Sequence, residues 1–207
     1  MATGIRIIND VGTTQIDESY FNFVLIDKFT TTISTPVTTA YDYSVAGDIV
    51  AIAVKVYPET FTVTSVATSG GTWTYRLTFF NNVSTTGTCT FTVYAFAKPP
   101  TPTETTGLAV YDPTGAVIFH SQFKPMRIQS VVGSTSGYTG TAGRDLAIMT
   151  IGLSMYGFAV FPTTVTDTYS HRVSSNVIEA IQTTVAAGGS PGFARAGSYA
   201  AIDVTNY

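Results

Sequence analysis

The side chains that could act as acid, base, nucleophile or metal ligand are sparse in this chain. It has two histidines, His120 and His171, and one cysteine, Cys89. A serine-hydrolase triad would need one of the histidines beside an activated serine. We expect His120, at the end of a hairpin, to be a surface or interface side chain, and His171 to lie in an exposed loop. A single cysteine excludes an internal disulfide and a zinc site built on cysteines.

The carboxylates do not pair in a way that acid–base chemistry requires. Asp17 and Glu18 are neighbours in sequence, so on a strand they point to opposite faces. Asp42 and Asp48 flank a predicted turn, which is an ordinary place for aspartate. No spacing typical of a calcium loop or of a His/Glu metal site occurs. We therefore predict no catalytic residue, no metal and no cofactor.

Aromatic and imidazole side chains near glycine-rich loops are the remaining candidates for binding. Exposed Trp and Tyr stack on sugar rings or anchor protein interfaces. The sequence leaves open the alternative that Trp73 belongs to the core. The candidate contacts with a ligand or a partner subunit are Trp73, Tyr75, Tyr138, His120, Tyr169 and His171.

Two glycine-rich segments accompany these candidates. Residues 131–143 are predicted to be a solvated loop, with the alternative that the loop orders against a partner. Residues 188–192 are predicted to be a flexible loop tip. Neither segment has the lysine and the following helix of a phosphate-binding loop.

The composition limits the partners of this chain. Hydrophobic residues make up 44% of the 207 residues and charged residues only 11%, with a net charge of −3. No cluster of Lys and Arg exists to follow a phosphate backbone, so we expect no nucleic-acid binding. No apolar run approaches the roughly 20 residues that span a bilayer, so we expect no membrane insertion. With so little charge, we expect much of the surface to be polar but uncharged or covered by partner chains.

The opening segment returns in altered form halfway along the chain. Residues 4–16 correspond to residues 107–119 at an offset of 103, the difference between 107 and 4. Each copy has a short apolar segment, a turn built on Asn or Asp with Gly, and a second apolar segment. This pattern predicts a β-hairpin in each copy. The offset of about half the chain predicts two related β units.

A Pro/Thr-rich segment separates the two units. Pro99, Pro100 and Pro102 restrict the backbone and remove hydrogen-bond donors, which favours a stiff, extended connector. We therefore predict an N-terminal module at 1–98, a linker at 99–106 and a C-terminal module at 107–207.

The fold is predicted to be all-β, with two β-sandwich-like modules related by the duplication. Short apolar stretches recur every 8–12 residues between Gly, Asn and Ser turns, as in β-sandwiches. Residues 176–184 have weak helical spacing but many β-branched side chains, which favours a strand. The predicted central strands of the first module are 49–57, 61–67, 73–81 and 88–97.

The second hairpin resembles small tail proteins of tailed bacteriophages. The similarity rests on Gly107-Leu108, Val110, Asp112, Gly115, Val117, Phe119 and Ser121, followed by Pro125-Met126-Arg127-Ile128. In that family, a short Gly-Leu hairpin with an Asp/Asn-Gly turn begins a β module of the tail tip, baseplate or fibre. The resemblance implies a non-enzymatic, oligomeric virion component. It transfers no catalytic residue.

The resemblance therefore implies a structural protein of a phage tail, with copies of itself and other tail proteins as partners. Residues 1–6 lack the basic and apolar segments of a signal peptide, so we expect synthesis in the host cytoplasm and a final place in the virion tail. Three alternatives stay open: a receptor-binding protein that contacts a host surface glycan, a capsid decoration protein, and a glycan hydrolase.

Overall fold

The described part of the chain folds largely into β-strands. The computed structural model describes residues 6–8, 14–17, 22–34, 38–48, 50–80, 87–152, 155–160, 163–187, 194–195 and 197–207. Every regular element in these ranges is a strand, so the all-β prediction is confirmed. The strands are β1 (Arg6–Ile8), β2 (Thr14–Asp17), β3 (Val24–Ser34), β4 (Thr38–Ala46), β5 (Ala51–Val56), β6 (Thr60–Ser69), β7 (Thr72–Phe80), β8 (Thr88–Ala97), β9 (Ala109–Tyr111), β10 (Val117–His120), β11 (Ile128–Gly133), β12 (Tyr138–Thr139), β13 (Leu146–Gly152), β14 (Met155–Val160), β15 (Thr163–Ser174), β16 (Val177–Ala187), β17 (Ala194–Arg195) and β18 (Ser198–Asp203).

Two large antiparallel sheets form a sandwich. The first has six strands in the order β11-β18-β13-β5-β8-β3. The second follows the order β12-β16-β15-β6-β7-β4, with β14 beside β15 and β17 beside β14. The main core lies between the sheets, where Phe79 and Phe91 pack with ring centroids 4.4 Å apart. The sandwich prediction is confirmed because alternating apolar side chains of both sheets meet in this core.

The duplication seen in the sequence extends to the backbone of the two hairpins. β1–β2 and β9–β10 each form a two-stranded antiparallel sheet. Their bounds differ by 103, as between Arg6 and Ala109. Each hairpin has one extra residue in its second strand, Gln15 in the first and Ile118 in the second. These bulges occupy the same position, because 118 and 15 also differ by 103.

The strands that follow repeat the same pattern. β3 pairs with β8, and β11 pairs with β18, each with a register shift that leaves one residue without a partner. That residue is Ile26 in the first repeat and Gln129 in the second, again 103 apart. In the six-stranded sheet the first repeat supplies β3, β8 and β5, and the second repeat supplies their counterparts β11, β18 and β13. In the other sheet β4, β7 and β6 have the counterparts β12, β16 and β15, and the second repeat adds β14 and β17.

The two repeats meet edge to edge. β5 lies beside β13 in the first sheet and β6 beside β15 in the second, both antiparallel. In both sheets, the order of the paired strands read from one end therefore matches the order of their counterparts read from the other end. An antiparallel contact between equivalent edges is what a twofold axis produces in a dimer. Strands from 1–98 and from 107–207 thus share both sheets, and the chain has the symmetry of a pseudo-dimer.

A third layer covers the outer face of the six-stranded sheet. The chain after each hairpin crosses this face, where the Met126 amide donates to the Phe23 carbonyl at 2.7 Å. Phe23 and Met126 occupy equivalent positions, since their numbers differ by 103, so the pseudo-twofold axis passes between them. Both side chains pack on a second apolar cluster that includes Ala53 and Ile202. The six-stranded sheet is therefore apolar on both faces, as buried central strands require.

Candidate functional site

Trp73 and Tyr75 pack in the core of the sandwich. Both lie on β7, and Tyr75 is buried while Trp73 is half-buried against the core. The Trp73 indole donates to the Gly47 carbonyl at 3.2 Å, and the Tyr75 hydroxyl donates to the Val50 carbonyl. Burial raises the pKa of Tyr75. The polar atoms of both side chains are therefore bonded within the protein, and Tyr75 also lines a small pocket of about 290 Å³.

His171 is buried in β15, so the prediction of an exposed loop was wrong. Its Nε2 lies 2.9 Å from the Ser134 carbonyl oxygen, and its ring packs 4.7 Å from that of Tyr199. Burial lowers the pKa of His171 to about 4, against the smaller opposing effect of the bond to Ser134. The neutral ring therefore donates from Nε2 to the carbonyl oxygen. The local run of polar residues in the sequence concealed a strand that continues through them.

The glycine-rich segment at 131–143 is not a single loop as predicted, because its first residues belong to β11 and Tyr138 and Thr139 form β12. The segment is tied to the sandwich by this histidine and its neighbours. The Tyr199 hydroxyl donates to the Ser136 carbonyl at 2.9 Å, and the Gly140 amide donates to the Asn176 carbonyl at 2.8 Å. Tyr138 lies in β12, half-buried against the core. Tyr169 is half-buried in β15. These two candidates therefore belong to the framework and not to an open loop.

His120, the sixth candidate, lines the larger of two pockets, a groove in the second repeat. The groove has a volume of about 700 Å³ and lies between the proline-rich linker and the β9–β10 hairpin. His120 is buried, with 4% of its surface exposed. We expected a surface or interface side chain, but the structure buries His120 beside the linker. Tyr111, which the sequence did not single out, also lines the groove and is 54% exposed.

The bulge in the hairpin builds one wall of the groove. In a regular strand the side chains of Val117 and Phe119 would lie on the same face. Because Ile118 is an extra residue, His120 pairs with Ala109, and its side chain lies on the face of Val117 instead. Ala109, Val117 and His120 accordingly line the groove beside Tyr111. A sequence pattern of period two cannot reveal this arrangement, because the bulge changes the period.

The linker forms the opposite wall and is fixed by Gln122. Its Oε1 accepts hydrogen bonds from the amides of Thr103 and Glu104, both at 3.2 Å, and its Nε2 donates to Thr103 Oγ1 at 2.7 Å. The Leu108 amide donates to Ser121 Oγ at 3.0 Å. The predicted extended connector therefore folds back on the second hairpin and makes a preformed groove.

Residues of the phage-like motif have structural roles at this hairpin. Asp112 Oδ1 accepts hydrogen bonds from the amides of Thr114 and Ala116, both at 2.8 Å. Together with the Thr114 hydroxyl, these bonds lower the pKa of Asp112. Gly115 has a φ of 87° and Gly107 a φ of 128°, in a region that favours glycine. The motif specifies a hairpin and its turn, which any role of the protein would use.

A buried carboxyl was not anticipated from the sequence. Glu59 is fully buried, and neither carboxyl oxygen has a hydrogen-bond partner within the described part of the chain. Burial, together with the charge of Glu59, raises the pKa of the Cys89 thiol to about 12. Cys89 is therefore a protonated core side chain without nucleophilic character at neutral pH.

The described residues contain no group of three or more His, Cys, Asp or Glu side chains that could hold a metal ion. None of the described segments is a helix long and apolar enough to cross a membrane.

One serine has the spacing of a hydrolase nucleophile. Residues 188–192 match Gly-x-Ser-x-Gly, a motif that such enzymes place on a strand-to-helix turn. These residues, and the flexible tip predicted there, lie outside the described residues. The described segments on either side are the strands β16 and β17, so the helix that the motif requires does not follow.

Comparisons with protein-family models, with curated proteins and with solved structures gave no match to this chain.

Proposed function

We propose that this chain is a non-enzymatic structural subunit of a bacteriophage tail that assembles with copies of itself, with host attachment as a second role. The support comes from the resemblance of the second hairpin to phage tail proteins, from the low charge, and from one sheet edge. The tail location is an inference from resemblance alone. The assembly part has a specific physical basis.

The observation that carries the assembly proposal is the edge strand β11. It ends the six-stranded sheet and, among the described residues, pairs on one side only, with β18. Residues 128–133 contain no charged residue and no proline, and Ile128 and Val131 are 50% and 61% exposed. Such an edge is a template for another strand unless charge, proline or a cover blocks it.

The internal symmetry supports pairing with a second copy of the chain. The two repeats already join through antiparallel edges without any change in sandwich architecture. A second chain that paired its own β11 with this β11 would extend the six-stranded sheet by the same kind of contact. An isologous pairing of this kind closes as a dimer and brings no charged strand residues together.

Solution mass tests this proposal. Light scattering at several protein concentrations is expected to give a stable oligomer, with twice the 22.0 kDa chain mass as the smallest unit. A monomer at all concentrations would contradict self-assembly. A turnover assay on glycan substrates is the complementary test, since measurable hydrolysis would contradict the non-enzymatic part.

A further inference from the structure

His120 offers one hydrogen-bond donor to the groove. Its Nδ1 accepts a hydrogen bond from the Gln122 amide at 3.1 Å. A ring nitrogen that accepts carries no proton, so the ring proton lies on Nε2. No described residue accepts a hydrogen bond from this Nε2–H. The groove therefore contains a fixed, largely buried donor that a ligand oxygen can use.

The linker wall is unsuited to binding an extended peptide as an added strand. Strand addition needs free backbone donors and acceptors along the receiving segment. Pro99, Pro100 and Pro102 have no amide hydrogen, and the amides of Thr103 and Glu104 are taken by Gln122. Recognition in this groove must therefore depend on side chains.

The charges of the groove favour a neutral ligand. Lys98 and Glu104 are its two formally charged lining residues, one of each sign. A nucleic acid or another polyanion would need an excess of positive charge. Glu104 supplies an acceptor for hydroxyl groups, and the exposed ring of Tyr111 supplies an apolar face against which a sugar ring can stack. The volume of about 700 Å³ is typical of a small-ligand site.

We propose that this groove binds a neutral oligosaccharide, with one sugar ring stacked on Tyr111 and hydroxyl groups bonded to His120 and Glu104. This inference rests on the host-attachment part of the proposed function. In the first hairpin, the positions equivalent to those of Tyr111 and His120 are occupied by Ile8 and Asp17. The site is therefore specific to the second repeat.

The test is binding of the full chain to an array of immobilised short neutral oligosaccharides. Wild type is expected to bind a subset of them, and Tyr111→Ala is expected to weaken that binding by about tenfold or more through loss of stacking. Tyr111→Phe keeps the ring and is expected to retain binding. Tyr57→Ala is the matched control, because Tyr57 is 53% exposed and does not line the groove.

Two outcomes would overturn the site. One is the absence of wild-type binding to any oligosaccharide on the array. The other is equal binding by Tyr111→Ala and wild type, which would place the contact elsewhere. Thermal unfolding of each variant is the control that establishes whether its fold is intact. Either negative result would leave the assembly proposal standing, because that proposal is decided by solution mass.

Discussion

Val131 on β11 occupies the position that Lys28 occupies on β3. Their numbers differ by 103, and both follow the bulge that the two strands share. Lys28 pairs with Tyr94 on β8, and Val131 pairs with Ala200 on β18. Lys28 donates to the Tyr207 carbonyl at 2.7 Å. The two outer edges of the six-stranded sheet therefore differ, one with a charged side chain and the other with an exposed apolar one.

This difference predicts the effect of Val131→Lys. The variant gives β11 the residue that the first repeat tolerates at the same position, so we expect it to fold. The added charge should weaken association at β11 by at least about tenfold, because each of the two edges that meet would carry a lysine. Sedimentation of a dilution series measures the change. Leu108→Lys adds the same charge at an exposed loop position and should associate like wild type; equal loss in both variants would contradict a specific role of β11.

His171 predicts a dependence of stability on acid. Its pKa is about 4 in the folded chain and 6.5 in the unfolded chain, so between these values the unfolded chain binds the proton more strongly. The contribution of neutral His171 to the free energy of unfolding is complete above about pH 6.5. It is lost as the pH falls to about 4, and the loss amounts to roughly 3 kcal/mol at most. Chemical denaturation across this range should show a steeper decline for wild type than for His171→Gln. Parallel declines would contradict the assignment, because carboxyl groups titrate in both proteins.

Gly107 and Gly115 predict two different costs of adding a methyl group. Both have positive φ, which costs an L-residue roughly 1–2 kcal/mol. A Cβ at Gly115 would meet open space, whereas one at Gly107 would collide with Ser121 Oγ. Gly107→Ala should therefore lower the free energy of unfolding more than Gly115→Ala does. The prediction fails if urea denaturation gives equal losses for the two variants.

The buried carboxylate of Asp203 is expected to contribute strongly to the free energy of unfolding. Its carboxylate is buried and lies 3.3 Å from Arg144 Nη1 and 3.5 Å from Arg127 Nη2. Asp203→Asn removes the charge from a site that two arginines share, and should cost about 2 kcal/mol. The exposed pair of Asp42 with Arg76 is the comparison. Asp42→Asn should change the melting temperature little, since solvent screens that pair. A smaller effect at Asp203 than at Asp42 would contradict the argument.

The repeat and the strands of the core were accessible from the sequence for a physical reason. Alternating apolar side chains mark a strand wherever the register is regular, and the segments at 49–57 and 88–97 correspond to β5 and β8. The segment at 176–184 was correctly predicted as a strand from its β-branched residues, against its helical spacing. The offset of 103 was visible because hairpin turns constrain sequence strongly.

The sharing of both sheets by the two repeats could not be read from the sequence. The contact of β5 with β13 depends on which apolar edges meet, and periodicity does not encode partners. The groove was missed for a similar reason. Tyr111 and His120 share a face only because Ile118 is a bulge. The linker lies opposite them because the Gln122 side chain bonds to Thr103 and Glu104.

Hydrogen–deuterium exchange of the edge strands tests the account most directly. β11 and β3 are compared in one sample at high and at low protein concentration. If β11 joins the copies, its outward amides gain hydrogen-bond partners and exchange more slowly at high concentration, while those of β3 do not change. Exchange of β11 that stays equally fast at every concentration, or protection at β3 instead, would contradict assembly through this edge.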